Sequence, residues 1–356
     1  MRIVSERLQN QRLSSRGFKE AVDVVRWLGA VQAQDFPAAK WALALRMRSA
    51  THAAIEHAYN EGRILRTHLL RPTWHFVAPD DIRWLLQLTA PRVNAKAGPN
   101  YRKYELDAAV FKKTNKVLTN ALKGGRHLTR QELRAALNRS GVLADDLIRL
   151  THIMLRAELD GVVCSGRRVG KQFTYALLEE RVPPAQTLTR DDALARLTAR
   201  YFTSHGPATL HDFIWWSGLT MSDAKRGVEM IDSQLRAKLF REKSYWLPRT
   251  KPAPQISAAS AYLLPAFDEY NVAYKDRAAV VELNDGNPRL SSWDLLGPTV
   301  IVGGKVAGNW KATVAPKQVT ITVTAARTLK KSEKLAIAEA ADRYAAFLGL
   351  PAAVHI

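Results

Sequence analysis

Cysteine is almost absent from this chain of 356 residues, in which Cys164 stands alone. A single thiol cannot form an intramolecular disulfide, and it rules out a zinc site built from several cysteines. Cys164 lies in the apolar segment 160–166, DGVVCSG. We therefore expect a buried structural thiol there rather than a nucleophile.

Long apolar runs and metal-binding spacings are absent as well. No run approaches the roughly 18 residues of a membrane-spanning helix. The first residues, MRIVSERLQNQRL, lack the apolar core of a signal peptide. The histidines have no HExxH spacing, and no glycine-rich phosphate loop occurs. These absences predict a cytoplasmic protein that binds no membrane, no metal and no cofactor.

Acidic residues are too few to balance the basic ones. The sequence has 53 Lys and Arg against 33 Asp and Glu, which gives a formal net charge of +20. Because 47% of the residues are hydrophobic, we expect a folded chain that displays this charge on its surface. Such a surface attracts polyanions and releases their counterions on binding. Nucleic acid is the leading candidate partner, and an ordinary soluble protein of high pI is the alternative.

Two segments, 127–178 and 207–248, follow the same plan of helix, tight turn, helix and hairpin. In each, a Thr followed three residues later by an acidic residue marks a helix start. This plan is typical of a winged helix-turn-helix unit. A looser copy combines an amphipathic helix in 18–34 with two extended runs in 63–77. We therefore expect three tandem units.

The pattern changes to extended runs after a linker at 249–260. The runs occupy residues 261–267, 278–283, 298–304, 305–313 and 318–324. Gly303-Gly304 between two of them is a strong hairpin-turn signal, and an amphipathic helix is predicted for 331–348. Closure of the strands into a small β-barrel is compatible with this pattern but is not dictated by it.

We therefore expect an α+β protein with three tandem winged-helix units and a C-terminal β-rich domain. The expected boundaries are 1–100, 101–184, 185–250 and 251–356.

Six segments, in order along the chain, resemble one bacterial family. They are VQAQDFPAAKWAL, RPTWHFVAPDDIRWLL, ELDGVVCSGRRVGKQFTYALLEERVPP, YFTSHGPATLHDFIWWSGL, LLPAFDEYNVAYKDR and GKVAGNWK. The chain resembles the AlkZ-like, or HTH_42, superfamily of winged-helix DNA glycosylases. The resemblance implies three winged-helix units around a concave basic surface, a C-terminal β-barrel and a monomer acting on the bacterial nucleoid. It also implies excision of N-alkylated purines from double-stranded DNA without strand cleavage, and in some members the unhooking of interstrand crosslinks.

The catalytic motif implied by this resemblance is glutamine, an apolar residue, and then glutamine or aspartate. It falls on Gln32, Ala33 and Gln34, and glutamine in the last place is the version of the azinomycin-resistance branch, whereas the YcaQ-like branch has aspartate. We do not assign that last role to the neighbouring Asp35. Side chains at i and i+2 share a face only in an extended segment, so a functional pair predicts non-helical backbone here. The alternative is a pair of glutamines that satisfy buried backbone groups.

Neutral glutamines suit a substrate that carries its own positive charge. A purine alkylated at N7 or N3 leaves as a neutral base, so its departure requires little or no protonation. Carboxamides can fix a water molecule and contact the sugar or phosphate. Aligned hydrogen bonds of this kind are worth about 10²–10³ in rate each.

The remaining candidates concern how DNA is held. The sequence predicts phosphate contacts by Arg167, Arg168 and Lys171 at the tip of the second wing, by Arg71 and His75 near the first wing, and by Lys305 after the Gly-Gly turn. His75 could also orient a water molecule, and a satisfied core histidine is its alternative. For the basic residues of the second wing, the alternative is a solvated loop that does not contact DNA. Asp268, Glu269 and Tyr270 form a polar group inside an apolar frame. Candidates to line the lesion cavity are Trp74, Asp268 and Tyr270. For these, core packing and ion pairing with Arg or Lys are the alternatives.

Two rival functions share the same features. A non-catalytic winged-helix regulator would bind DNA without chemistry. A glycosylase-like protein without activity would only shield alkylated DNA. Three units in one chain favour a monomer that surrounds a single lesion over a dimeric regulator.

Overall fold

The computed structural model describes residues 3–185, 187–250, 256–281 and 294–356. Two features predicted from the sequence extend beyond these ranges. They are the linker at 249–260, through residues 251–255, and the strand at 278–283, through residues 282–283. Among the helices of the described ranges, none is long and apolar enough to cross a bilayer.

The N-terminal part combines short helices with a three-stranded sheet. Its elements are α1 (Ile3–Asn10), α2 (Ala21–Leu28), β1 (Val31–Gln32), α3 (Phe36–Ala44), α4 (His52–Asn60), β2 (Leu65–Leu69), β3 (Thr73–Val77) and α5 (Pro79–Lys103). The strand β3 lies in the middle and pairs antiparallel with both β1 and β2. The last helix, α5, is 25 residues long and leads into the next part of the chain.

The next two parts each contain consecutive helices followed by a hairpin. The second part has α6 (Ala108–Leu122), β4 (Leu128–Thr129), α7 (Arg130–Arg139), α8 (Leu147–Leu159), β5 (Val163–Ser165), β6 (Thr174–Leu177) and α9 (Leu178–Arg181). The third part has α10 (Arg190–His205), α11 (Leu210–Ser217), α12 (Met221–Met230), β7 (Leu235–Phe240) and β8 (Lys243–Pro248). The predicted order of helix, helix and hairpin is present in both.

Local capping explains why these helices begin where the sequence predicted. The side chain of Thr129 accepts from the Glu132 backbone, and the Glu132 side chain accepts from Thr129 in return. The same reciprocal arrangement opens α11 and α12. Each capping box satisfies two backbone N–H groups that a helix start leaves without partners.

The C-terminal part is a mixed sheet covered by one helix. Its elements are β9 (Ala261–Leu264), α13 (Glu269–Val272), β10 (Thr299–Val302), β11 (Lys305–Ala315), β12 (Gln318–Ala325), α14 (Lys331–Leu348) and β13 (Ala352–His355). The bounds of α14 are those predicted. The prediction of a strand at 278–283 was wrong for residues 278–281, which form a turn followed by a bend.

The expected small β-barrel is not found. The strand order is β13-β12-β11-β10-β9, and the two outer strands do not pair with each other within the described residues. The helix α14 packs against β9, β10 and β13. It therefore covers an apolar face of a sheet that is not closed into a barrel. The last strand, β13, extends the sheet by pairing parallel to β12.

Two apolar cores hold the molecule together. One joins the N-terminal part to the C-terminal sheet and includes Val31, Phe76 and Ile301. The other runs from α5 through the second and third parts and includes Ala30. The neighbours Ala30 and Val31 therefore belong to different cores, so the segment that carries Gln32 runs along the boundary between them.

A buried ion pair fastens the N-terminal part to the C-terminal part. The guanidinium of Arg46 donates to both carboxylate oxygens of Asp268 at 2.8 and 2.9 Å, and both side chains are 0% exposed. Arg46 also donates to the backbone and side-chain oxygens of Gln11. Removal of one partner from such a pair leaves an uncompensated buried charge.

We expect Asp268→Ala to lower the free energy of unfolding by about 3–5 kcal/mol, because the Arg46 charge stays buried without its partner. Denaturant unfolding measures the change. Glu20→Ala is the control, since it breaks the exposed Arg63–Glu20 pair and should cost less than about 1 kcal/mol. Equal losses in the two variants would contradict a special role for the buried pair.

Candidate active site around Gln32 and Gln34

The glutamine pair lies in an extended segment between α2 and α3. Gln32 ends β1 and is the register partner of His75 in β3. The N–H of Ala33 donates to the Trp74 carbonyl at 2.7 Å, which continues the pairing one residue further. Gln34 follows without regular structure, and Asp35 caps α3 by accepting from the N–H of Ala38. The backbone is thus non-helical at the motif, as the i, i+2 argument predicted.

The carboxamide of Gln32 is oriented by Arg71. Nη2 of Arg71 donates to Oε1 of Gln32 at 2.9 Å. A guanidinium can only donate, so the atom facing it must be the amide oxygen, and the NH₂ group faces the other way. Gln32 is 6% exposed, and its NH₂ group makes no hydrogen bond to any residue that the structure describes. The sequence predicted that Arg71 contacts phosphate, but its guanidinium is directed at Gln32.

The carboxamide of Gln34 is oriented in the same sense. The backbone N–H of Trp74 donates to Oε1 of Gln34 at 3.3 Å. A backbone N–H also only donates, so the NH₂ group of Gln34 again lies away from the strand. This side chain is exposed. Both glutamine oxygens therefore accept from donors within the protein. The NH₂ group of Gln34 belongs to an exposed side chain, whereas that of Gln32 belongs to a side chain that is 6% exposed.

A carboxylate that the sequence placed in a polar group with Asp268 and Tyr270, without predicting a contact with the glutamines, lies directly beneath the motif. Glu269 is 0% exposed, and its Oε1 accepts from the N–H of Gln32 at 2.9 Å. Its Oε2 accepts from the indole N–H of Trp216 at 2.9 Å and lies 3.4 Å from Nε2 of His205. Burial alone would raise the pKa of Glu269, but the hydrogen bonds from His205 and Gln32 outweigh it, so the pKa lies below its ordinary value.

A residue that the sequence analysis missed, Arg66, holds the backbone of the motif. Its Nε donates to the carbonyl of Ala33 at 2.9 Å. The guanidinium lies 4.1 Å from the ring centre of Trp74 and 4.7 Å from that of Phe173. The half-buried Trp74 therefore supports the motif through its backbone and through Arg66. Its predicted place in a lesion cavity stays a prediction.

A histidine–carboxylate pair adjoins Trp74. Nδ1 of His68 lies 2.8 Å from Oε2 of Glu158, and the rings of His68 and Trp74 are 4.1 Å apart. The side chain of His68 is 12% exposed, whereas that of Glu158 is 1% exposed. Nothing in the spacing of the sequence indicated this pair, since the partners are 90 residues apart.

His75 does not reach a phosphate, because its side chain is 0% exposed. Its Nδ1 donates to the carbonyl of Thr73 at 2.9 Å, and its Nε2 has no hydrogen-bond partner in the described structure. Burial, with a smaller contribution from the Arg71 charge, lowers the pKa of His75 to about 3. The ring is a neutral core histidine, which is the alternative that the sequence analysis left open.

Two of the lesion-cavity candidates are also internal. The carboxylate of Asp268 forms the ion pair with Arg46 and also caps the N-terminus of α13. Tyr270 is 0% exposed, and its hydroxyl donates to the carbonyl of Gly304 at 2.7 Å. The alternative of structural ion pairing therefore holds for Asp268. The residue between them, Glu269, is the one that contacts the motif.

The basic residues of the second hairpin fall into two groups. Arg167 and Lys171 are exposed, as expected for phosphate contacts. Arg168 instead forms an ion pair with Glu56 at 2.8 Å and packs over Phe36 and Phe173. It fastens the hairpin to α4 through Glu56 and to the first turn of α3 through Phe36, beside the glutamine motif.

Lys305 is half-buried at the start of β11. The preceding turn packs closely on α1, since a Cβ added at Gly304 would lie 2.0 Å from a methyl group of Val4. Contact of this hairpin with the DNA backbone stays a prediction.

The single cysteine is buried, and two clefts have linings that do not include the glutamine motif. Cys164 is 0% exposed, as expected, and burial raises the pKa of its thiol to about 12. No group of three or more His, Cys, Asp or Glu side chains in the described ranges is arranged to hold a metal ion. Clefts of about 670 and 510 Å³ lie beside Trp27 and beside Trp41, and neither is lined by Gln32 or Gln34.

We expect the ring of His75 to stay neutral down to about pH 4, because burial disfavours the imidazolium. The unfolded chain takes up this proton below about pH 6.5, so the contribution of His75 to stability is lost as the pH falls from 6.5 towards 3. The loss is about 1.4 kcal/mol per pH unit in that window. Denaturation of the wild type and His75→Gln from pH 7 to 5 measures it. Parallel pH dependences would contradict a buried neutral ring.

Comparison with known proteins places the chain in a family. The family described as "DNA glycosylase AlkZ-like" matches residues 25–347. The interstrand DNA cross-link repair glycosylase of Streptomyces sahachiroi is 25% identical over 328 residues, which cover 86% of this chain and 85% of that protein. The solved structure of the DNA glycosylase AlkZ from Streptomyces sahachiroi superposes with a TM-score of 0.77 and 19% identity, covering 99% of this chain and 98% of that one, and it shows the fold alone. The chain therefore belongs to the DNA glycosylase AlkZ-like family.

Proposed function

We propose that this protein hydrolyses the N-glycosidic bond of cationic N7- or N3-alkylated purines in double-stranded DNA. It does so without cleaving the strand, and Gln32 and Gln34 are its catalytic residues. One observation carries the proposal: donors of the protein bind both glutamine oxygens, so each neutral carboxamide keeps its N–H donors for another partner, Gln34 at the surface and Gln32 in the buried segment beside it. Membership in a glycosylase family supports the class of reaction.

The reaction requires little from the protein when the base is already cationic. As the C1′–N9 bond breaks, its electron pair moves onto the purine and neutralises the alkylated ring. A water oxygen then bonds to C1′, and the water loses a proton to solvent. Amide N–H donors can hold the water oxygen and the sugar or phosphate oxygens around the developing oxocarbenium ion. Positioning of the water adds an entropic advantage.

A neutral site also limits the substrate. Hydrogen bonds worth about 10²–10³ in rate each suffice for a labile alkylated nucleoside, but not for an unmodified one. The buried carboxylate of Glu269 cannot protonate the base, because it is 0% exposed beneath Gln32. Undamaged DNA would therefore be bound without losing a base.

We include interstrand crosslinks among the substrates. The similar protein from Streptomyces sahachiroi is named a cross-link repair glycosylase. A crosslinked base cannot enter a closed pocket easily, and Gln34 is exposed rather than enclosed. We also assign the helix–helix–hairpin segments as winged-helix units that hold the duplex along a basic surface, as a monomer.

We expect the purified protein to release N7-methylguanine from a duplex and to leave an intact abasic strand. Gln32→Ala and Gln34→Ala should each slow the release by about 10- to 1,000-fold while duplex affinity is retained. Single-turnover kinetics with chromatography of the free base measures this, and the exposed Gln87→Ala is the control. A gel shift with no base released by the wild type would favour a regulator or an inactive clamp. Full activity of either variant would refute the motif assignment.

We expect Arg167→Ala and Lys171→Ala to weaken duplex binding. Each should lower the slope of log affinity against log salt by about one for each phosphate that the protein no longer neutralises. Binding titrations from low to high salt measure the slopes. Lys334→Ala, on the exposed side of α14, removes one charge elsewhere and is the control. Slopes equal to that of the control would show that this hairpin does not contact DNA.

A further inference from the structure

Gln32 is held from two sides by groups that the proposed chemistry does not use. Arg71 binds its side-chain oxygen, and Glu269 binds its backbone N–H, each at 2.9 Å. The two holding groups have opposite charges. They come from the turn between β2 and β3 and from α13, respectively.

The charges of these two groups depend on each other. Arg71 is half-buried, and its burial lowers its pKa, while the negative charge of Glu269 opposes that effect. Oε2 of Glu269 is occupied by Trp216 and His205, so the carboxylate cannot rotate away from Gln32 without breaking those contacts. A charge buried to this degree is tolerated only when it is compensated and hydrogen-bonded.

We propose that Glu269, acting with Arg71, is a positioning residue that fixes Gln32 as an N–H donor. Its hydrogen bond sets the backbone of the motif, and its charge keeps the guanidinium in place against the amide oxygen. Without it, the amide can rotate and present its oxygen to the DNA, where it would oppose oxygen atoms. This inference rests on the proposed role of Gln32 in base release.

Glu269→Gln tests the inference, because it keeps the size of the side chain and removes its charge. We expect the single-turnover release of N7-methylguanine to fall about 10-fold, while duplex affinity changes less than about 2-fold. In a Gln32→Ala background, the same change should alter the rate by less than about 2-fold, because the group being positioned is gone. A purely structural role would lower the rate by the same factor in both backgrounds.

Arg71→Met is the second variant, and it keeps the test decisive if Glu269→Gln fails to fold. It removes the donor to Gln32 and should show the same coupling, with Arg71→Lys restoring part of the rate. Glu333→Gln is the matched control, since it neutralises a carboxylate paired with Arg327 in the C-terminal part. It should leave the release rate unchanged.

The NMR signal of the Gln32 side-chain NH₂ group, recorded without DNA, separates this inference from the proposed function. We expect one ordered signal in the wild type and averaging in Glu269→Gln and Arg71→Met. Averaging in a protein that releases no base would uphold the positioning and refute the proposed function. An unchanged signal together with equal rate factors in both backgrounds would overturn the positioning, even if Gln32→Ala is slow.

Discussion

The hydrogen bond from the Gln32 backbone to the buried carboxylate of Glu269 connects parts of the chain that are 237 residues apart. The strand β1 is two residues long and lies at the edge of its sheet, so its outer N–H groups need partners from elsewhere. Glu269 supplies one of them only when the C-terminal part is docked on the N-terminal part. The shared apolar core and the Arg46–Asp268 pair provide that docking. The conformation of the motif is therefore a property of the whole fold, not of the local sequence.

The same arrangement separates the charged groups from the two carboxamides of the motif. The charged Arg71 and Glu269 lie beneath Gln32, and the negative charge of one compensates the positive charge of the other. The motif itself presents neutral amides, buried at Gln32 and exposed at Gln34. An exposed arginine there would repel a cationic base, and an exposed carboxylate would attract it in the ground state as well as in the transition state. Under the proposed function, a neutral pair would avoid both effects and would act mainly on the oxygen-rich sugar, phosphate and water.

Local features of the fold could be predicted from the sequence, and long-range ones could not. The capping box of Thr129 and Glu132 and the bounds of α14 depend on residues within a few positions of each other, so spacing alone reveals them. The closure of a sheet depends on which strands meet, and here α14 covers the face that a barrel would have enclosed. In the segment around Glu269, the sequence indicated a polar group, but it did not indicate that Glu269 is the residue of that group that contacts Gln32. The burial of His75 could not be read from its neighbours either, since strand residues of one sequence pattern face either side.

The second hairpin shows how tertiary contacts give different roles to similar residues. Arg167, Arg168 and Lys171 lie within five positions and carry the same charge, yet Arg168 alone is paired with Glu56. This pairing, with the edge-to-face contact of Phe173 and Phe36 at 5.2 Å, anchors the hairpin beside the helix that follows Gln34. Because the anchor is fixed, a phosphate bound by the two exposed cations would stand in a fixed register relative to the glutamines. Arg168 thus positions the hairpin, and Arg167 and Lys171 would be left to bind the DNA backbone if the glutamines contact the sugar as proposed.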